Sequence, residues 1–132
     1  MNKRRMIWPL FAALFLTGCG ETGEAEQGYR QVSMEEAVSI MEEAENYIIL
    51  DVRTEEEYQS GHIPGAICIP NETIGTGEIS QLPDKDQMFL VYCRSGNRSK
   101  QAAGKLQELG YTNLVEFGGI LDWEGETEKG ES

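Results

Sequence analysis

Residues 88–99 read MFLVYCRSGNRS and hold the most informative pattern in the sequence. The apolar run 88–92 predicts a strand that is covered on both faces, as strands of parallel sheets are. From 98 to 109, apolar residues recur at helical spacing, and Gly110 follows as a stop signal. A short loop therefore joins a buried strand to a helix, with Cys93 one residue past the strand. Ligands of open α/β sheets bind beyond the carboxyl ends of strands, so Cys93 lies where such folds do their chemistry.

The loop itself has the features of an anion-binding cradle. Gly96 allows the chain to curl so that successive backbone N–H groups face inward, continuous with the helix N-terminus. Such an electropositive environment favours the thiolate form of Cys93. We expect Arg94 to attract anions, and Arg98 to organise the loop by binding its carbonyls or the substrate through its planar fork. The predicted nucleophile is Cys93, and the predicted substrate-binding loop comprises Arg94, Ser95, Gly96, Asn97 and Arg98.

The rest of the chain alternates predicted strands and helices. Capping boxes start two helices, one at Ser33 with Glu36 and one at Thr54 with Glu57. Strands are predicted at 47–52, 66–69 and 114–117, and a helical turn leads to Trp123. This alternation predicts an α/β domain over residues 29–124 with a mainly parallel sheet. The charged residues 125–132 are predicted to be a disordered tail.

The first 28 residues predict export and membrane attachment. Lys3, Arg4 and Arg5 precede an apolar run, 6–16, that is too short to cross a bilayer but suits a signal peptide. The run ends in Leu-Thr-Gly-Cys, which resembles a bacterial lipobox and implies cleavage before Cys19 and diacylation of its sulfur. Residues 1–18 are then the signal peptide, and 19–28 the lipidated cysteine with an acidic linker. The alternative is an ordinary signal peptide with a chance cysteine.

Processing at this site leaves a strongly acidic protein. Three of the 11 basic residues lie in the signal peptide, which leaves 8 basic against 23 acidic residues and a net charge of −15. Nucleic-acid binding requires a basic surface, so no nucleic-acid partner is expected. Half of the remaining basic residues lie close to Cys93, and we interpret the last two of them as merely solvated: Arg94, Arg98, Lys100 and Lys105.

Four motifs in order resemble the single-domain rhodaneses: ILDVR at 49–53, GHIPGA at 61–66, YCRSGNRS at 92–99, and FGG at 117–119 with Trp123. The resemblance implies a central five-stranded parallel sheet flanked by helices on both faces, with strand order first, fifth, fourth, second, third. It also implies that Cys93 takes a sulfane sulfur from a small anionic donor such as thiosulfate, becomes a persulfide and passes the sulfur to a thiol or cyanide-like acceptor. Thiosulfate-using rhodaneses often carry a lysine where this chain has Ser95, which leaves the donor open.

Two other classes of function remain as alternatives. The first is a cysteine-dependent phosphatase or arsenate reductase, whose active loop resembles the pattern Cys-x5-Arg. In this chain only four residues separate Cys93 from Arg98, and the smaller loop suits a single sulfur atom better than a phosphate. A non-catalytic rhodanese-like binding module often loses the cysteine or the loop, and this chain keeps both. No metal-ligand spacing, dinucleotide fingerprint or Walker loop occurs, so we expect no metal and no cofactor. The protein partner stays open.

The remaining candidate residues have structural interpretations. Asp51 and Arg53 end the second predicted strand and are expected to support the active loop through a salt bridge or hydrogen bonds. His62 is expected to be a hydrogen-bonded structural histidine, and Trp123 a core residue. Cys68 is expected to be a buried thiol. The implied sheet order puts two inter-strand steps between Cys68 and Cys93, too far for a disulfide.

Overall fold

The computed structural model describes residues 28–75 and 77–130 and shows a five-stranded, all-parallel sheet with helices on both faces. The sheet order is β1-β5-β4-β2-β3, which confirms the order that the family resemblance implied. The strands are β1 Arg30–Gln31, β2 Tyr47–Asp51, β3 Ile67–Cys68, β4 Met88–Cys93 and β5 Leu114–Gly119, and the helices are α1 Met34–Glu43, α2 Glu55–Ser60 and α3 Asn97–Glu108. Short 3₁₀ turns occur at Asn71–Thr73 and Ile120–Asp122.

Both helices start at the predicted cap residues, but the structure shows the full capping box only at α2 and the Ser33 half of it at α1. The Ser33 side chain accepts a 3.1 Å hydrogen bond from the Glu36 N–H at the start of α1. At α2 the capping box is reciprocal, because Thr54 Oγ1 accepts from the Glu57 N–H and Glu57 Oε1 accepts from the Thr54 N–H. Helix α3 ends before Gly110, whose φ of +102° is a left-handed conformation that favours glycine.

Strand β4 divides the core into two layers. Its alternate residues Phe89, Val91 and Cys93 pack into one apolar cluster, which includes Ala102 and Leu106 of α3. Leu90 and Tyr92 face the opposite cluster, which holds residues of α1 and α2. Because side chains alternate along a strand, Cys93 is directed to the α3 side of the sheet. The sequence had placed Cys93 one residue past the strand, whereas the structure makes it the last residue of β4.

The tail 125–132, for which disorder is predicted from composition, makes backbone contacts with the domain over the residues that the structure describes. Glu128 forms an antiparallel bridge with His62, in which each N–H donates to the other carbonyl at 2.8 Å. The Gly130 N–H donates to the Gln59 carbonyl at 2.7 Å. Composition alone predicted disorder because these residues are polar. Their backbone groups nevertheless form hydrogen bonds with backbone groups in the last turn of α2 and just after it. Residues 131–132 lie outside the described part of the chain.

The predicted signal peptide 1–18 and the linker with Cys19 also lie outside the described residues, except for Gly28 at the linker's end. Within residues 28–75 and 77–130, no helix combines the length and apolarity that a membrane span requires.

The two cysteines of the domain are separated by strand β2. Asp51 of β2 pairs with Cys68 on one side and with Tyr92 on the other. Two inter-strand steps, roughly 9.6 Å, therefore separate Cys68 from the end of β4. Both thiols are free, and Cys68 is half-buried rather than fully buried as expected. Burial, and next the Asp51 carboxylate, raise the pKa of Cys68 to about 12, which keeps that thiol protonated.

We therefore expect Cys68 and Cys93 to remain unlinked even in an oxidising compartment. The full chain is unfolded without reductant, alkylated and digested, and the peptides are identified by mass spectrometry. Both cysteines should be recovered separately, as alkylated thiols or with Cys93 as a persulfide or mixed disulfide. A Cys68–Cys93 linked peptide would contradict the sheet order.

Candidate active site

Cys93 is buried at the carboxyl end of β4, with a relative exposure of 1%. Its sulfur accepts a hydrogen bond from the Gly96 N–H at 3.0 Å and lies 3.5 Å from the Ser99 hydroxyl. One contact comes from the N-cap of α3 and the other from its first turn, so the chain folds back over the sulfur. A sulfur held by a backbone donor is stabilised in its anionic form.

The loop after Cys93 leads directly into the N-terminus of α3. Gly96 is the N-cap of α3, with φ of +114° and ψ of −12°, and no side chain caps the helix. The first-turn N–H groups of a helix have no intrahelical acceptors, so those that follow Gly96 are available to an anion. Arg94, Ser95 and Asn97 of the same loop are exposed. The cradle geometry that the sequence predicted is therefore consistent with the loop in the structure.

Gly119 holds the loop against β5. It pairs with Cys93 across an irregularity in the β4–β5 ladder. A Cβ atom added to Gly119 would overlap the carbonyl of Arg94, so only glycine permits this close approach. Two residues later, the Leu121 N–H donates to the same Arg94 carbonyl at 3.2 Å. The FGG motif thus fixes the path of the active loop.

Arg98 was expected to bind loop carbonyls or the substrate, and in the structure its side chain binds Glu57 rather than a loop carbonyl. Its fork makes two hydrogen bonds to Glu57, at 2.8 and 3.1 Å. A carboxylate is a stronger acceptor than a carbonyl and matches the guanidinium fork, which explains the preference. Arg98 therefore ties the start of α3 to the capping box of α2. The hydrogen bond from Arg98 lowers the pKa of Glu57 to about 2, with burial opposing and the Thr54 N–H contributing.

Asp51 and Arg53 form a buried network behind Cys93. Arg53 binds Asp51 at 2.6 Å and also donates to the Gly61 carbonyl at 2.7 Å. The Tyr92 hydroxyl donates to Asp51 at 2.6 Å and accepts from the Ile63 N–H at 3.0 Å. Burial, and next Asp51, raise the pKa of Tyr92, so this hydroxyl stays protonated. The pair supports the strand end beside Cys93 and the turn at Gly61, not the loop 94–98 directly.

The Rhodanese-like domain family model matches residues 33–126. This chain belongs to the rhodanese-like family. Thiosulfate sulfurtransferase PspE of Escherichia coli (strain K12) is 42% identical over 79 residues, which cover 60% of this chain and 74% of that protein. Thiosulfate sulfurtransferase GlpE of Pseudomonas entomophila (strain L48) is 32% identical, over 77% of this chain and 94% of that protein.

A solved structure supports the same assignment. An Escherichia coli rhodanese with anions superimposes with a TM-score of 0.58 at 38% identity and covers 64% of this chain and 99% of that chain. The four motifs from which the sequence resemblance was drawn, 49–53, 61–66, 92–99 and 117–119, all lie within the matched range 33–126. The rhodanese-like fold and family that the sequence predicted are therefore confirmed.

Several residues near this rhodanese-like site make contacts that the sequence pattern did not predict. Glu57 was recognised only as a cap, although it also binds Arg98. The Lys105 ammonium donates to the Asn71 carbonyl at 3.0 Å, so it is not merely solvated. The Lys100 ammonium lies close to Gly96, 3.6 Å from the position that a Cβ atom on Gly96 would occupy. Buried Glu116 on β5 binds Ser99, and its only signal in the sequence was a carboxylate inside an apolar strand.

His62 and Trp123 both pack against other side chains of the domain. His62 is fully buried, stacks on Tyr58 and places Nδ1 2.9 Å from the Tyr58 carbonyl, as a structural histidine does. Trp123 is only partly buried at the margin of the core, and its indole N–H donates to the Glu126 carbonyl at 2.9 Å. It therefore covers the core edge and fixes the tail rather than filling the interior.

The Glu57–Arg98 pair predicts a specific acid sensitivity. Because the folded protein lowers the pKa of Glu57 from 4.5 to about 2, the pair's stabilisation is fully present above about pH 4.5 and is lost as the pH falls toward 2. We expect Glu57→Gln to lower the melting temperature by roughly 5 °C at pH 7. Melting curves from pH 7 to 2.5 should show this difference shrinking with acid. Glu56→Gln, an exposed change in the same helix, should follow the wild type, and a constant Glu57→Gln difference at all pH values would exclude the pair as its cause.

Proposed function

We propose that this rhodanese-type sulfurtransferase carries its sulfur as a persulfide on Cys93. The observation that supports the proposal most strongly is the 3.0 Å hydrogen bond from the Gly96 N–H to the Cys93 sulfur at the start of α3. The same backbone donors that favour a thiolate also favour a terminal persulfide anion, which would extend from Cys93 toward the first-turn amides. The curated relatives PspE and GlpE are both named thiosulfate sulfurtransferases, which supports this class of chemistry.

The reaction has two displacements at sulfur. The Cys93 thiolate attacks the outer sulfur of a donor such as thiosulfate, the donor S–S bond breaks, and sulfite leaves with the electron pair. A thiolate or cyanide-like acceptor then attacks the outer sulfur of the persulfide. The Cys93–sulfur bond breaks, the acceptor gains the sulfur, and the bonding electron pair returns to the Cys93 sulfur. No net oxidant or reductant is required in either step.

The residues of the loop would attract the donor, flank it and hold the backbone around Cys93. Exposed Arg94 would attract the anionic donor to an acidic protein, and exposed Ser95 and Asn97 would flank the bound anion. Gly96 supplies the backbone conformation that directs its N–H to the sulfur. Arg98 acts through Glu57 by fixing the start of α3 rather than by touching the donor.

We also propose that the domain works outside the cytoplasm as a bacterial lipoprotein. The support is the order of three signals: a basic flank, the apolar run 6–16 and Leu-Thr-Gly-Cys ending at Cys19. Diacylation of Cys19 would attach the domain to a membrane surface through two acyl chains, which is sufficient for stable anchoring.

The persulfide can be detected directly. Incubation of the full chain with thiosulfate should add one sulfur atom, and the added mass should map to the Cys93 peptide. Cys93→Ser should lose the adduct and reduce sulfur transfer to the level without enzyme, while its melting temperature stays close to the wild type. Cys68→Ser is the matched control and should keep both the adduct and the activity. Failure of every sulfane donor to modify Cys93 would exclude the mechanism.

Lipidation is tested by metabolic labelling in a bacterial host. Wild-type protein should incorporate radiolabelled fatty acid and sediment with membranes. Cys19→Ala should remain unlabelled, because the acceptor sulfur is missing. A soluble wild-type product cleaved at another residue would refute the lipoprotein proposal and leave the sulfur chemistry unaffected.

A further inference from the structure

Glu116 is a carboxylate in the interior of β5, with a relative exposure of 2%. Its Oε2 accepts the Ser99 hydroxyl in a short hydrogen bond and the Gly118 N–H at 3.0 Å. Among the described residues, no lysine or arginine forms an ion pair with it. Burying a carboxylate without a counter-ion is unfavourable, so hydrogen-bond donors alone compensate this group. The apolar strand 114–117 would fold more easily with an apolar residue here.

Ser99 connects Glu116 to the nucleophile. Ser99 is fully buried, and its single hydroxyl proton has three oxygen acceptors within reach: Gly96 O at 3.0 Å, Gly118 O at 3.3 Å and the closer Glu116 carboxylate. The charged and nearest acceptor takes the proton, because charge-assisted hydrogen bonds are the stronger ones. A lone pair of the Ser99 oxygen then remains for the Cys93 thiol, which donates to it at 3.5 Å. A continuous chain of hydrogen bonds therefore runs from Cys93 through Ser99 to Glu116.

We propose that Glu116 holds the Cys93 proton whenever the active-site sulfur is anionic. As Cys93 attacks the donor, its S–H bond breaks and the proton goes to Ser99, while the Ser99 proton forms an O–H bond on Glu116. When the acceptor removes the sulfur, the same path returns the proton to Cys93. The thiol with ionised Glu116 and the persulfide anion with protonated Glu116 each carry one negative charge on the two groups together, so Cys93 and Glu116 are not both anionic at the same time. This role deepens the proposed function and rests on it.

The other titratable and charged groups near Cys93 and Glu116 include a neutral tyrosine and two cations, so Glu116 is the group that accepts the proton. Tyr29 packs beside β5, and burial, followed by the Glu116 charge, raises its pKa, so Tyr29 stays neutral. On α3, Arg98 lies within electrostatic range of Cys93 but is bound by Glu57, and the Lys100 ammonium lies over Gly96 on the loop side. These cations favour one anion at the sulfur. A second anion at Glu116 would be like-charged and unpaired, which raises the energy of the doubly ionised state.

The first test needs no sulfur donor. Glu116→Gln keeps the size of the side chain and a carbonyl for the Gly118 N–H, but removes the negative charge that lies beyond Ser99 from the Cys93 sulfur. In the full chain in detergent, iodoacetamide labelling of the Cys93 peptide should be about tenfold faster at neutral pH, and the rate profile should move about one pH unit lower. Glu108→Gln, an exposed change on α3, should match the wild type. An unchanged profile, or a shift to higher pH, would overturn the proposal.

The second test observes the proton in the wild type, so it does not depend on a variant folding. Infrared difference spectra between resting and persulfidated full chain should show a protonated carboxyl band that shifts with ¹³C-glutamate labelling and is absent in Glu116→Gln. Complete persulfidation by mass without this band would refute the proton transfer. If no sulfane donor modifies Cys93, the proposed function fails, and the iodoacetamide profile still decides whether Glu116 controls the thiol.

Discussion

Cys93 is buried, and its sulfur accepts a backbone hydrogen bond because the chain turns back immediately after it and brings the Gly96 N–H to 3.0 Å from the sulfur. That turn requires a positive φ at Gly96 and a strand partner without a side chain at Gly119. Both requirements fall on glycines, because a side chain at either position would strain or displace the loop. Strand β4 ends at the carboxyl edge of the parallel sheet, and α3 begins at the same edge. The Cys93 sulfur therefore lies next to the N-terminus of α3.

Two polar networks support this turn from opposite sides. On the α2 side of the sheet, Asp51 and Arg53 hold Tyr92 and the Gly61 turn, so the residue before Cys93 is fixed. On the α3 side, Ser99 lies between the Cys93 sulfur and the Glu116 carboxylate and is hydrogen-bonded to both. Buried ionic groups add little net stability, because their desolvation offsets their attraction. Their consistent effect here is geometric: each one restrains a backbone segment next to the nucleophile.

The sequence predicted the features that depend on local pattern or on complete motifs. The capping residues Ser33 and Thr54, the helix stop at Gly110 and the sheet order that the four motifs implied all agree with the structure. Contacts between distant segments were not predictable in this way. Arg98 and Glu57 are 41 residues apart, so the partner that binds the Arg98 fork is evident only once the starts of α2 and α3 are both placed at the carboxyl edge of the sheet.

The same limit applies to the tail and to Glu116. The tail has the composition of a disordered segment, yet its backbone pairs with His62, and backbone pairing leaves no signal in composition. Glu116 interrupts an apolar strand, which indicates an unusual residue but not its partner. Only the close approach of α3 to β5 identifies that partner as Ser99 and connects the carboxylate to Cys93.

A crystal structure of the protein after exposure to thiosulfate tests the central claim most directly, because it shows where the transferred sulfur is held. The account predicts electron density for one additional sulfur bonded to the Cys93 sulfur and directed toward the backbone N–H groups of residues 94–98, with the loop path and the Glu57–Arg98 pair unchanged. Additional sulfur on Cys68, or a loop that opens to expose Cys93 while its sulfur remains unmodified, would contradict it.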